Sequence, residues 1–264
     1  MTELRVCSYN VRYANPDEGH DVWEFRRAGV TDLVRFHAPD LVGFQEPLPE
    51  QVADLEEGLP AHRLVGRGRR ADGDGEACPV GARTDRWTIT DRDTFWLSET
   101  PEEPGAAWGA NHPRIVTWAR VARAGDEGAE GGGRGPACYL FNTHFDHESA
   151  RARRESARLL RERVAAIATD APAVVVGDLN CRPGSEPHRI LTDGGLRPAA
   201  EAADVTHGPD TSITDFRGPI HGRRIDHVLV GPEVTVEAFA TLADLDDRGR
   251  HPSDHLPVLA RLRI

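Results

Sequence analysis

The chain has 264 residues, of which 39% are hydrophobic and 28% charged, a composition of soluble globular proteins that excludes a disordered or fibrous chain. No apolar run approaches the ~20 residues a membrane span needs. The formal charge of −11 opposes a polyanion-binding surface, because neutralising phosphates with basic side chains supplies most non-specific affinity for nucleic acid.

In chain order, an apolar pattern over 4–9 predicts a first strand, and 23–37 an amphipathic helix ended by Pro39. A buried strand at 41–44 and a shorter helix over 49–59 follow. Residues 67–76, rich in Gly and Asp, predict an exposed loop. Strands are expected at 94–97 and 115–121, a Gly-rich acidic loop over 124–136, and a strand at 138–142. The strongest helix signal spans 149–169. There Leu160, Val164 and Ile167 share one face, and arginines from Arg151 to Arg163 cover the rest. Glu155 and Glu162 interrupt them, so the run reads as a solvated face rather than a nucleic-acid stripe. Further strands are expected at 173–177, 225–230, 234–242 and 258–264. With no repeat and no break in composition, 1–264 reads as one domain, and mixed strands and helices point to a layered α/β fold.

The start of the chain lacks the basic residues and apolar stretch of a secretion signal, so the expected location is the cytoplasm and the expected form a monomer with no membrane contact. Cys7, Cys78, Cys138 and Cys181 are scattered and form no C-x-x-C pair, which predicts free thiols. All 32 basic residues are arginine, so no lysine is present to act as a base or Schiff-base former.

Acids, amides and imidazoles gather at the ends of the predicted strands. Asn10 ends the first; alone it reads as a turn former. Glu46 follows the second, where it reads equally as a first-turn helix acid. Asn142, His144 and Asp146 alternate along one strand and share a face, with His147 just beyond. Asp178 and Asn180 project together after three valines, either to orient a water or to cap the turn before Pro183. Asp226 is nearly enclosed by apolar residues and needs a partner to stay charged. His255, in a loop bracketed by Pro252 and Pro257, is the candidate; a carboxylate raises an imidazole's pKa and fixes its tautomer. Hard oxygen ligands without a thiolate suit Mg²⁺ or Mn²⁺ rather than zinc.

The ordered set Tyr9-Asn10-Val11-Arg12, Gln45-Glu46, Thr143-His144-Phe145-Asp146-His147, Gly177-Asp178-Leu179-Asn180, Arg224-Ile225-Asp226-His227 and Ser253-Asp254-His255-Leu256-Pro257 resembles the endonuclease/exonuclease/phosphatase superfamily, the group of deoxyribonuclease I. Two further stretches, 94–101 and 113–118, resemble its compact bacterial members. The resemblance implies an α/β (α+β) four-layer sandwich of two stacked mixed β-sheets flanked by helices. It implies Glu46 as the main ligand of Mg²⁺ (or Mn²⁺), with Asn10 assisting and Asp254 at a second metal or a water. Asp178 with Asn180 would act on the attacking water, Asp226 would hold His255, and His255 and His144 would contact phosphoryl oxygens. Arg114, His147 and Asp146 are expected at the substrate. Relatives carry aromatics where Gly81 and Ala82 stand, which would make the pocket roomier if that stretch lines it.

The reading favoured is a metal-dependent hydrolase of a small-molecule phosphomonoester or phosphodiester. The alternative is an endo- or exonuclease, with Arg67, Arg69, Arg70 and Arg83 in a basic groove and Trp96 or Trp108 stacking bases. Core packing is the ordinary use of those tryptophans. A non-catalytic module ranks last, because no polar position has decayed.

Overall fold

The computed structural model describes residues 1–125 and 135–264, so the loop expected over 124–136 lies mostly outside the described residues. In chain order the elements are β1 (Glu3–Asn10), α1 (Trp23–His37), β2 (Leu41–Gln45), α2 (Pro49–Gly58), β3 (His62–Val65), β4 (Val80–Arg83), β5 (Trp87–Trp96), β6 (Ile115–Arg123), β7 (Ala137–His144), α3 (Ala150–Ile167), β8 (Ala173–Asp178), α4 (Glu186–Thr192), β9 (Arg197–Pro198), α5 (Ala199–Ala202), β10 (Val205–His207), β11 (Asp226–Val230), β12 (Thr235–Thr241) and β13 (Val258–Arg263).

They build two mixed sheets, one of seven strands in the order β10-β12-β13-β1-β2-β4-β3 and one of six in the order β5-β6-β7-β8-β11-β9. Leu4, Val6, Leu41 and Val258 of the first sheet meet Leu140, Val174, Val176 and Val228 of the second in a shared inner core. The outer face of the first sheet packs Tyr9 and Phe44 under Val30 and Val34 of α1 and Leu55 of α2. The outer face of the second packs Phe141 and Val175 under Leu160 and Val164 of α3 and Leu191 of α4. The result is the expected four-layer sandwich, with each layer burying its apolar face against the next.

Local chemistry explains the boundaries. α1 ends where Ala38 turns left-handed at φ 45°, since the residue before Pro39 is barred from continuing a helix. α3 starts where Ser149 Oγ accepts the Ala152 N–H at 3.1 Å, a side-chain N-cap. Along α3, Arg154 and Arg158 pair with Glu155, and Arg163 with Glu102, so the arginine run is an ion-paired surface. No helix among the described residues is long and apolar enough to cross a membrane. All four cysteines are free and buried.

One seam joins the sheets directly below their polar end. A Cβ on Gly43 would lie 2.5 Å from Val176 Cγ2 and 2.6 Å from Asn142 Cγ, so only glycine lets the sheets approach this closely. Asn142 bridges the gap. Its Nδ2 donates to the carbonyls of Phe44 (2.7 Å) and Pro79 (2.9 Å), and its Oδ1 accepts Gln45 Nε2 at 2.6 Å. A fully buried amide is thereby satisfied inside an apolar core.

Candidate active site

β1 runs parallel to β2, and β7 parallel to β8. The two pairs end at one edge of the sandwich, the position where open α/β sheets present ligand-binding residues. The register sets Asn10 beside Gln45, His144 beside Asp178, and Asp226 across from Asp178. Six stretches separated in sequence therefore open into one cavity of about 690 Å³. Glu46, Arg114, His144, His147, Asp178, Asn180, Asp254 and His255 line it; Asn10, Asp146 and Asp226 support it from beneath.

Asp178 sits at the centre. Its Oδ1 accepts the Asn180 N–H at 2.9 Å, and its Oδ2 accepts Asn10 Nδ2 at 3.2 Å. The same Oδ2 lies 3.4 Å from His144 Nε2 and 3.8 Å from His255 Nε2. Asn10 Nδ2 also donates to Glu46 Oε1 at 2.9 Å, so one amide spans both carboxylates, while its Oδ1 takes the Arg12 N–H. The Tyr13 N–H donates to Glu46 Oε2 at 3.0 Å. Glu46 and Asn180 both hold positive φ, at 72° and 47°, a backbone conformation that costs energy outside glycine and persists where the surroundings impose it.

His255 is oriented by Asp226, whose Oδ2 lies 2.8 Å from its Nδ1, leaving Nε2 toward the cavity. Burial disfavours its imidazolium, but the Asp226 carboxylate, helped by Asp178 and Asp254, outweighs burial and lifts the pKa well above the histidine range. His144 goes the other way: burial first, then Arg114 and His255, hold its pKa well below that range. Asn180 Nδ2 donates to Phe145 O and lies 3.0 Å from His144 Nε2. Burial, and next the Asp226 charge, push the Asp178 carboxyl up to about 7. Burial likewise raises Asp254, against His255.

Arg114 reaches His147 Nδ1 at 3.0 Å and Asp146 Oδ2 at 3.5 Å. Asp146 also accepts the Glu148 and Ser149 N–H groups through Oδ1, at 3.0 and 2.7 Å, so it fixes both Arg114 and the start of α3.

Glu46, His144 and Asp178 offer ligand atoms all within 4.8 Å of one another, and so do Asp178, Asp226 and His255. The first group fits a hard divalent cation. Two nearly buried carboxylates face each other there, bridged only by a neutral amide, and such a charge pair is costly without a cation.

Several residues that line the cavity escape the sequence reading. Glu76 ends the segment expected to be an exposed loop, yet Arg69 holds it at 2.8 Å and it reaches within 4.0 Å of His144 Nδ1 and Arg114 Nη1. That segment is a hairpin closed by a Gly68–Ala77 bridge, and Gly-rich sequence carries no periodicity to show which side chains turn inward. Arg12, Tyr13, Ile213, Ile220 and Arg223 also contribute. Gly81 does not: it packs in β4 against Val42 and Leu64, away from the cavity, so the residue there leaves the room for substrate unchanged.

His227, beside Asp226, points away from the cavity and meets Cys181 O through Nε2 at 2.8 Å. Burial lowers its pKa to about 4. Above the unfolded value of ~6.5 neither state holds the proton; below it the unfolded chain binds one first, so stability falls as pH drops from ~6.5 to about 4, by roughly 3 kcal/mol in all. Urea unfolding of His227→Gln across that window is expected to show a shallower loss than the parent; an unchanged slope would refute this origin.

The endonuclease/exonuclease/phosphatase family model matches residues 7–255. Similar solved structures include an endonuclease/exonuclease/phosphatase from Bacteroides vulgatus, 33% identical with a TM-score of 0.91 over 100% of both chains. A mannosyl-6-phosphatase from Bacteroides thetaiotaomicron is 31% identical, with a TM-score of 0.91 over 99% of this chain and 100% of that one. D. rerio TDP2 complexed with single strand DNA product shares the fold at 17% identity and a TM-score of 0.73, with 100% of both chains covered. No curated protein sequence matches. Over nearly its whole length, the chain belongs to the endonuclease/exonuclease/phosphatase family.

Proposed function

We propose that this protein is a divalent-metal-dependent hydrolase of a small phosphate ester, with a phosphorylated sugar as the first class to test. The observation that carries this reading is the position of Asp178, between the Asn10–Glu46 pair and the two imidazoles of His144 and His255. Glu46, steered by the Asn10 amide and with Asp254 beside it, would hold Mg²⁺ or Mn²⁺, which when bound neutralises charge on the phosphoryl group and activates it toward attack. Asp178, with Asn180, orients the attacking water and takes its proton. The water oxygen forms the new bond to phosphorus as the bond to the alcohol oxygen breaks. His255, held by Asp226, donates its Nε2 proton to the departing oxygen, which leaves as the neutral alcohol. Arg114 and His147 form the substrate wall with His144 beside them, and Asp146, buried beneath rather than at the substrate, holds Arg114.

Three observations favour a small ester over nucleic acid. The arginines expected in a basic groove are engaged elsewhere: Arg69 with Glu76, Arg83 with Asp85, Arg70 with Asp74, and Arg67 with Ala71 O and the Trp96 ring. Trp96 is buried and its N–H is taken by Arg69 O, while Trp108 packs against the outer core. A relative of 31% identity is a mannosyl-6-phosphatase.

The test is a panel of hexose 6-phosphates, nucleotides, inositol phosphates and single- and double-stranded DNA and RNA, with Mg²⁺ or Mn²⁺ and after chelation. Phosphate or alcohol release from a small ester is expected, falling at least ~100-fold on chelation and returning with added metal. Cleavage of nucleic acid alone, or of nothing, would overturn the reading.

A further inference from the structure

Arg26 lies on α1, fully buried, with no carboxylate in ion-pair range among the described residues. A buried guanidinium must have its donors satisfied, and here carbonyls do it. Nη1 donates to Val11 O at 2.8 Å and Pro252 O at 2.9 Å, Nη2 to Arg12 O at 3.2 Å, and Nε to Asp21 O. The rings of Trp23 and Phe216 lie 5.4 and 5.5 Å from its central carbon, which restricts the plane of the fork. Gln51 of α2, also fully buried, works on the same segment: Nε2 donates to Arg12 O at 2.9 Å and Oε1 accepts the Ala14 N–H at 2.7 Å.

Three of these carbonyls, those of Val11, Arg12 and Pro252, belong to two neighbouring segments that each contribute to the cavity wall. Residues 11–14 follow Asn10 and include Tyr13, whose N–H holds Glu46. Pro252 leads directly into Ser253, Asp254 and His255, and Ser253 Oγ closes the same joint by donating to Asn10 O at 2.8 Å. A single planar fork therefore bonds both sides at once, which the single ammonium of a lysine has no geometry to reproduce.

We infer that Arg26 and Gln51 form a positioning clamp that sets the spacing between the Glu46 side and the His255 side of the site. The inference rests on the phosphoesterase reading for its kinetic test. A displacement of about 1 Å between reacting groups costs on the order of 10²-fold in rate, so a loosened clamp lowers kcat while substrate contacts at Arg114 and His147 remain.

The experiment compares Arg26→Lys and Gln51→Met with a control of similar stability loss, Leu160→Ala, which opens the core under α3, a cluster that contains no residue of either segment. With the best ester of the panel, each clamp variant is expected to lose about 30- to 100-fold in kcat with KM within threefold, whereas the control keeps kcat within threefold at a matched fall in Tm. Binding of Mn²⁺ alone, followed by electron paramagnetic resonance, is expected to weaken in both clamp variants and not in the control, a readout that needs no turnover. Either clamp variant retaining kcat and Mn²⁺ affinity within threefold of the parent, or the control losing as much as they do, overturns the clamp. A parent inactive on every ester would instead sink the functional reading, and the Mn²⁺ comparison would still decide the clamp. If Arg26→Lys does not fold, Gln51→Met carries both readouts.

Discussion

Asp178→Asn is expected to fold normally and to lose phosphate-ester turnover by about 10³-fold or more, the range lost when a proton acceptor and a stabilising charge go together. The substitution is nearly isosteric, and the remaining oxygen keeps the Asn180 N–H bond of 2.9 Å. What disappears is the proton acceptor and the negative charge beside Glu46. Stability should move the other way. In the unfolded chain this carboxyl ionises near 3.8, whereas in the fold its pKa is raised to about 7, so ionisation works against folding as pH rises through that interval. The neutral amide removes that cost, though it meets Asn10 Nδ2 donor to donor. The metal-free variant at pH 8 should therefore melt at or above the parent's temperature. Turnover within tenfold of the parent would remove Asp178 from the proposed chemistry.

Asp226→Asn should have the second largest effect, a fall of roughly 10²- to 10⁴-fold in kcat, because an amide in place of the carboxylate withdraws the charge that orients and protonates an imidazole. Asp226 Oδ2 lies 2.8 Å from His255 Nδ1 and is the main force raising the His255 pKa against burial. In the parent the Asp226 carboxylate keeps the imidazolium to higher pH than an ordinary histidine would. In the variant it is lost at lower pH, so the alkaline limb of the rate profile should move down in pH. A reduced rate with an unmoved alkaline limb would mean that Asp226 acts only by shape.

The parts of the fold legible in the sequence are those whose stabilisation is local. Trp23, Val30, Leu33 and Val34 mark α1 at helical spacing, and the valine run marks β8. β3 and β4 escape notice because His62-Arg63 and Gly81-Ala82 carry little apolar signal; they are strands because they pair with each other and, through β4, with β2. The principal polar residues announce themselves at strand ends, but their mutual distances depend on the register between strands far apart in sequence. Arg26 was hidden in an Arg-Arg pair that reads as surface. The sign of its burial is that it falls three residues after Trp23 and four before Val30, on the apolar stripe.

The Gly43–Asn142 seam has a consequence for how substrates enter. Because backbone and amide interlock the two halves at a single tight waist, the halves have no freedom to open and shut like jaws, and the floor of the cavity is a fixed template. Adaptation to a new alcohol must then come from the rim, through the side chains of Ile213, Ile220 and Arg223. The architecture thus separates what reacts from what is admitted.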